Sequence, residues 1–291
     1  MRPERLADGL WSVCSRLFTV HSGILVDGRS ACLIDPGLLP GEIDDLAAFV
    51  ASKRAEIQCV LLTHAHWDHI LGPERLPGMP AIGHADFPQS AGDSRGVRVV
   101  AQTDRWFREQ GIERDRPFEM PRLDRVFRSK LDLKIGRRTV RLVHAPGHSA
   151  DHFVVHIESL DTLWAADMLS DQEIPYVCHS LSAFEDTLAT LSKLDISMLI
   201  PAHGAPAADR QSICERFRAD QAYLGELRCR VERAVRDGCT VEEAHEACRS
   251  MRFPAPDANR RAHQLNTEHV YCELGGAADA RQMGWNRLHL S

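Results

Sequence analysis

The chain has 291 residues, 44% hydrophobic and 26% charged, proportions of an ordinary folded protein that exclude a disordered or fibrous one. Thirty-five Lys and Arg against 41 Asp and Glu leave a formal charge of −6, which excludes nucleic-acid binding by bulk positive charge. No apolar run reaches the ~20 residues of a membrane span, Met1-Arg2-Pro3-Glu4-Arg5 opens no signal-type core, and nine cysteines without a CxxC pair fit the reduced thiols of a cytoplasmic protein.

In chain order, Leu17–Val20 and Ile24–Val26 flank a turn at His21-Ser22-Gly23, and Ser30–Ile34 follows Asp27-Gly28, which predicts antiparallel strands. The apolar spacing of Glu42–Ser52 after Pro40-Gly41 predicts a helix. Val60–Leu62, Thr139–Val143, Phe153–Ile157, Leu163–Ala166 and Met198–Ile200 read as short buried strands. Segment 93–141 holds fourteen Arg and Lys against eight Asp and Glu, with Trp106, Phe107, Phe118 and Met120 among them. It reads either as a solvated helical excursion with an apolar underside or as a cap that attracts an anionic substrate. Ser182-Ala183-Phe184-Glu185 has capping-box spacing and predicts a helix from about 183 to 193. After Gly204 helical periodicity takes over: Thr240-Val241-Glu242-Glu243 opens one helix and Gly275-Gly276 closes another. Residues 1–206 therefore read as an α/β body and 207–291 as a helical C-terminal extension.

The chemistry is carried by histidine, of which there are fifteen. Thr63-His64-Ala65-His66-Trp67-Asp68-His69 follows the apolar run Cys59–Leu62. Side chains at i and i+2 of an extended segment point the same way, so His64 and His66 can grip one metal ion. The chain then turns into a predicted helix on which Asp68 and His69 can face a second ion. This N/O donor set suits zinc, with manganese or iron as alternatives. Three later strands end likewise, in His144-Ala145-Pro146-Gly147-His148-Ser149, in Asp167, and in Pro201-Ala202-His203-Gly204.

With these motifs in this order, the chain resembles the metallo-β-lactamase superfamily of metal-dependent hydrolases, in its glyoxalase II-like branch. The likeness runs over roughly residues 10 to 205 and includes Leu33-Ile34-Asp35-Pro36-Gly37 as the family's early strand and turn. It implies an α/β fold, the αββα sandwich of two mixed sheets between helical layers. It also implies a dinuclear centre: His64, His66 and His148 on one metal, Asp68, His69 and His203 on the other, and Asp167 bridging. The intact Asp68-His69 pair makes a lactam substrate the less expected one.

Two divalent ions sharing a water give a hydroxide nucleophile at neutral pH. The reading is a zinc hydrolase attacking the carbonyl of a thioester or ester on a small-molecule acyl substrate, anionic if the basic excursion contributes. Asp68 would orient the nucleophile and Tyr176 would donate to the carbonyl or leaving group, unless that ring packs under its loop. The alternatives are a lactonase and a mononuclear iron enzyme similar to persulfide dioxygenases. Trp67 either walls the site or packs on the following helix. His144 and His152 read as supports of the site or structural residues, His84 and His179 as structural or surface ones, and His245, His263, His269 and His289 as solvent-facing. The stretch Arg260–Asn266 would bind substrate, or the tail would form a homodimer interface.

Overall fold

The structure, a computed structural model, describes residues 2–88, 93–114 and 116–277. The chain forms two compact units, Met1–His144 with Asp151–Trp164, and Ala145–Ala150 with Ala165–Ser291.

The first unit opens with β1 (Glu4–Ala7), β2 (Leu10–Cys14), β3 (His21–Asp27) and β4 (Ser30–Ile34), paired antiparallel in chain order. Helix α1 (Pro40–Ser52) leads to β5 (Glu56–Leu61) and β6 (Ala81–His84); α2 (Ser94–Glu109) leads to β7 (Arg125–Phe127). From β4 to β7 the pairing is parallel. Ala31–Ile34 and Cys59–Leu61 are buried throughout, the near-continuous apolar run expected of strands covered on both faces. Then β8 (Lys130–Ile135), β9 (Arg138–His144), β10 (Phe153–Ile157) and the start of β11 (Thr162–Ala166) build an antiparallel sheet, with β8 packed over β3 and β4.

The N-terminal reading needs correction. Leu17–Val20 is not a strand but a loop, with Leu17 52% exposed, and β3 runs straight through the expected turn at 21–23. The turn-like residues serve the sheet instead. Ser22 Oγ donates to Asp35 O at 2.8 Å and accepts from Gly37 N at 2.7 Å, and His21 Nδ1 meets Ser12 Oγ at 2.7 Å. At Gly23 a Cβ would stand 3.0 Å from the Trp164 ring and 3.1 Å from Ile34, so the glycine provides clearance rather than a bend. The basic excursion is likewise only partly helical. Asp93 caps α2, accepting from Arg95 N at 2.8 Å, and Val99, Thr103 and Phe107 form its buried underside at four-residue steps. From Arg125 onward the segment supplies β7, β8 and the start of β9.

In the second unit, the end of β11 is followed by α3 (Leu181–Leu191), β12 (Met198–Pro201), α4 (Arg210–Arg236), α5 (Val241–Cys248) and α6 (Pro256–Glu273). The second sheet has the strand order β12-β11-β10-β9-β8. The cap of α3 is Ser180, two residues before the predicted one, with Ala183 N on its Oγ at 3.2 Å. Glu273, at the end of α6, accepts from Leu181 N at 2.7 Å and from Ser180 Oγ at 2.8 Å, while Glu185 pairs with Arg228 at 2.6 Å. The predicted box at Thr240 and Glu243 forms, and α6 stops before Gly275 in the left-handed region. His263 does not face solvent. It is buried, with Nδ1 at 2.9 Å from Tyr223 Oη and Nε2 at 3.1 Å from Cys248 O. His245 and His269 are partly covered, against Glu268 and His179 O respectively, and His289 lies outside the described residues.

Asp220 of α4 is buried and accepts from Leu169 N at 3.1 Å. Burial pushes its carboxyl up to about 8, against the opposing pull of that amide and of Arg216. A carboxyl raised in the folded state holds a proton that the unfolded chain releases, so its contribution to stability is lost as pH climbs from about 4 through 8. Asp220→Asn, neutral and of the same shape, is therefore expected to fold and to flatten that decline in urea midpoints taken at pH 5 and 8. Asp220→Leu, which strands the Leu169 amide, should cost about 1–3 kcal/mol. An unchanged pH slope in Asp220→Asn would refute the assignment.

Candidate metal centre

The first set of donors lies where β5 ends. Its buried apolar run carries the chain inward and releases it at Thr63, after which 64–70 form a tight turn rather than the expected helix, with His69 N bonded to His66 O at 3.1 Å. The turn gathers its imidazoles: the His64 ring lies 4.5 Å from that of His66, edge-on, and 4.2 Å from that of His69, tilted. His69 Nε2 stands 3.6 Å from Asp68 Oδ2. Within this unit the structure brings His64, His66, Asp68 and His69 together.

Asp35 holds this turn from behind. Its buried carboxylate accepts from Thr63 N at 2.8 Å, Thr63 Oγ1 at 2.6 Å and His69 Nδ1 at 2.9 Å, and its backbone takes φ +44°, a conformation Asp tolerates better than most residues. Because a carboxylate only accepts, His69 Nδ1 carries a proton, which leaves Nε2 as the nitrogen a neutral ring offers to a metal. His64 follows the same logic: the Thr63 hydroxyl gives its proton to Asp35, so at 3.1 Å it receives one from His64 Nδ1. Asp151, fully buried, accepts from Ala65 N at 2.8 Å and pairs with Arg95 of α2 at 2.5 Å. His152 packs on His64 with ring centres 5.1 Å apart, and His144 stacks on the buried His84 at 3.8 Å. Trp67 lies against Trp106 of α2 at 4.6 Å and Phe18 at 5.8 Å.

The second set sits in the other unit. Gly147 has φ +134°, and a Cβ there would stand 2.3 Å from Phe184 Cα, so only glycine lets this turn lie on α3. His148 follows, buried, with Nδ1 donating to Tyr176 O at 2.9 Å. Asp167 leaves β11 between Ala166 at φ +49° and Leu169 at φ +62°. His203 follows β12, where Ala202 N bonds Ala166 O at 2.7 Å and Ser170 Oγ donates to His203 O at 2.5 Å. Asp167 Oδ2 lies 3.4 Å from His148 Nε2, and its Oδ1 lies 3.4 Å from His203 Nε2. With Nδ1 of His148 protonated toward a carbonyl, a neutral His148 turns a lone pair toward a carboxylate that can only accept. A proton or a metal ion between those atoms relieves that opposition. The imidazoles and carboxylates of each unit are donors of the types that hold a divalent metal ion.

Tyr176 is half-buried beside His148, ring centres 6.0 Å apart, and burial raises its phenol far above the usual range, so it stays a hydrogen-bond donor. The loop carrying it is clamped by two carboxamides of α6. Asn259 Nδ2 donates to Gln172 O at 2.7 Å; Asn266 accepts from Val177 N at 2.8 Å and donates to Pro175 O at 2.7 Å. Asn266 is fully buried, so within Arg260–Asn266 it holds main chain rather than facing a ligand. Asp35, Asp151 and Asn259 escaped the sequence reading as supports, and Asn266 was read there only as part of a substrate-binding stretch. Asp35 was the one with a visible signal, standing in a quoted motif without a role.

A family model of the metallo-beta-lactamase superfamily matches residues 16–203, a span that contains all seven donors. The chain belongs to the metallo-beta-lactamase superfamily. Its α/β fold of two sheets and, among the described residues, six helices is that of the superfamily with a helical C-terminal region. The lactamase-like protein aptB of Emericella nidulans is 29% identical over 238 residues, 78% of this chain and 67% of that protein. An atrochrysone carboxyl ACP thioesterase of Aspergillus chevalieri is 26% identical over 258 residues, 86% of this chain and 73% of that one. A solved metallo-beta-lactamase family protein of Thermus thermophilus shares the fold at a TM-score of 0.66 and 21% identity, over 93% of this chain and 95% of that one. No described helix of this superfamily member is long and apolar enough to cross a membrane.

Proposed function

We propose that this chain is a dinuclear metal-dependent hydrolase of acyl thioesters. His64, His66 and His148 would hold one divalent ion, Asp68, His69 and His203 a second, and Asp167 would be shared, with zinc the expected metal. The observation that carries the reading is Asp167, whose two oxygens each face a different imidazole nitrogen at 3.4 Å, as a carboxylate serving two cations must. The choice of thioester is supported by the relatives that are ACP thioesterases, of which the Aspergillus chevalieri protein aligns over 86% of this chain.

Two divalent ions in such a centre lower the pKa of a shared water toward neutrality and polarise a carbonyl oxygen. The chain's own residues do the rest. Asp35, Thr63 and the Tyr176 carbonyl fix three imidazoles in the Nδ1-protonated form, so each presents Nε2. Asp68 takes the proton of the attacking water as its oxygen bonds to the carbonyl carbon. The C–S bond then breaks, and the departing sulfur takes up the proton that Asp68 holds. Tyr176, kept protonated by burial, donates to the carbonyl or to that sulfur.

Metal analysis and a substrate panel test this. Two zinc ions per chain and thioester turnover that chelation abolishes and zinc restores are expected. Opening of acyl-homoserine lactones with no thioester cleavage, or one iron per chain with oxygen uptake, would replace the proposal. In the same panel Tyr176→Phe should lose about 3–10-fold on thioesters, the worth of one neutral hydrogen bond, and change the thioester-to-oxyester ratio. Equal losses on every substrate would reduce Tyr176 to packing.

A further inference from the structure

We propose that one face of α2 is the docking surface for an acidic carrier domain that presents the acyl group as a thioester on a phosphorylated arm. The inference rests on the thioesterase reading and names the partner that delivers the substrate.

Positions 98, 101, 105 and 108 of α2 recur at three- and four-residue steps and share one side of the helix, with Val97 beside them. That side carries Arg98, Arg105 and Arg108 against one carboxylate, Glu109 in the last turn, four residues after Arg105. Of the acidic residues in α2, Asp104 points its Oδ1 at Phe118 N, 3.3 Å away, and Glu109 ends the helix. Arg98 and Arg108 have no ion-pair partner among the described residues, whereas Arg95 on the neighbouring stripe is bound to Asp151. Val97, 53% exposed, puts an apolar side chain at the N-terminal edge of the charge. A basic helix face flanked by a small apolar patch is complementary to an acidic helix, and much less to a neutral peptide.

The position of α2 gives this face its meaning. Arg95 reaches the carboxylate that holds Ala65 N between His64 and His66, and Trp106 stacks on Trp67 between His66 and Asp68. The helix is thereby tied twice to the turn that bears the donors. A partner seated on its arginines is brought next to that turn, and Trp67, Trp106 and Phe18 offer an aromatic strip along which an arm can lie. The local excess of positive charge in 93–141, within a chain of net −6, favours the same partner.

Three acetyl thioesters separate the contributions: acetyl-loaded acyl carrier protein, acetyl-coenzyme A with its phosphate but no protein, and acetyl-N-acetylcysteamine with neither. The wild type should prefer the carrier form, and the preference should shrink with added salt. The triple variant Arg98→Glu, Arg105→Glu, Arg108→Glu should lose about thirtyfold or more in kcat/KM on the carrier form, with acetyl-N-acetylcysteamine turnover within about twofold of wild type. That second number also reports that the variant folds. Fluorescence anisotropy of labelled, unacylated carrier should show binding that the variant weakens at least about tenfold. A variant that keeps carrier turnover, or a wild type equally active on all three, overturns the docking surface and leaves the thioesterase reading intact. A metal-loaded wild type inert on all three overturns both.

Discussion

His66→Ala is expected to leave about one tightly held metal ion per chain and to lower thioester turnover by at least about a thousandfold, roughly 4 kcal/mol in the barrier. The imidazole lies 4.5 Å from His64, on a turn pinned on either side by buried carboxylates, so no neighbouring side chain can swing in to replace it. A lost nitrogen donor in the proposed centre opens a coordination position to solvent and weakens the polarisation the reaction needs. Elemental analysis after dialysis, steady-state rates and a thermal melt with and without zinc read the three consequences separately. Wild-type turnover at wild-type metal content would remove His66 from the ligand set.

The second large effect belongs to Asp35. Alanine there strands three buried donors, Thr63 N, Thr63 Oγ1 and His69 Nδ1, and places a residue with no local hydrogen-bonding group at φ +44°. The expected loss is about 3–5 kcal/mol of stability, from urea denaturation in the presence of a chelator, where metal binding cannot mask it. Asp35→Asn keeps the shape and tolerates the backbone conformation. Its amide keeps one of the two accepting oxygens, sets a donating NH2 in place of the other, and no longer imposes a negative charge behind His69. It should fold with a modest penalty and bind zinc about 10–100-fold more weakly in chelator competition. Wild-type zinc affinity in Asp35→Asn would confine Asp35 to a structural role.

The donors were legible because their signal is local. His64 and His66 alternate beyond an apolar run that has to be a buried strand, and Gly147 precedes His148 where only a glycine can approach α3. What holds the donors was not legible, since Asp35 acts on residues 28 and 34 positions later, and no periodicity reports a contact of that length. Helix α3 shows the same limit. Both Ser180 and Ser182 stand in plausible cap positions, and the choice is made by Glu273 and Arg228, which reach this helix start from later in the chain. At the N-terminus, Ser22 and Gly23 carry the composition of a turn, yet their work is with Asp35, Gly37 and Trp164 inside the sheet. The aromatic content of 93–141 marked an apolar underside correctly, but not that the segment returns to strands from Arg125 onward.

The carbonyl that receives His148 Nδ1 sits in a loop whose neighbouring amide and carbonyl are bound by Asn266, about 90 positions downstream. A nascent chain that has emerged through residue 205 already contains every predicted donor. It still lacks the carboxamide that settles the Pro175–Val177 backbone. On the ribosome, the His148 imidazole therefore receives its final orientation only once α6 has been synthesised and has closed a loop of that length, a step that long-range closure makes late.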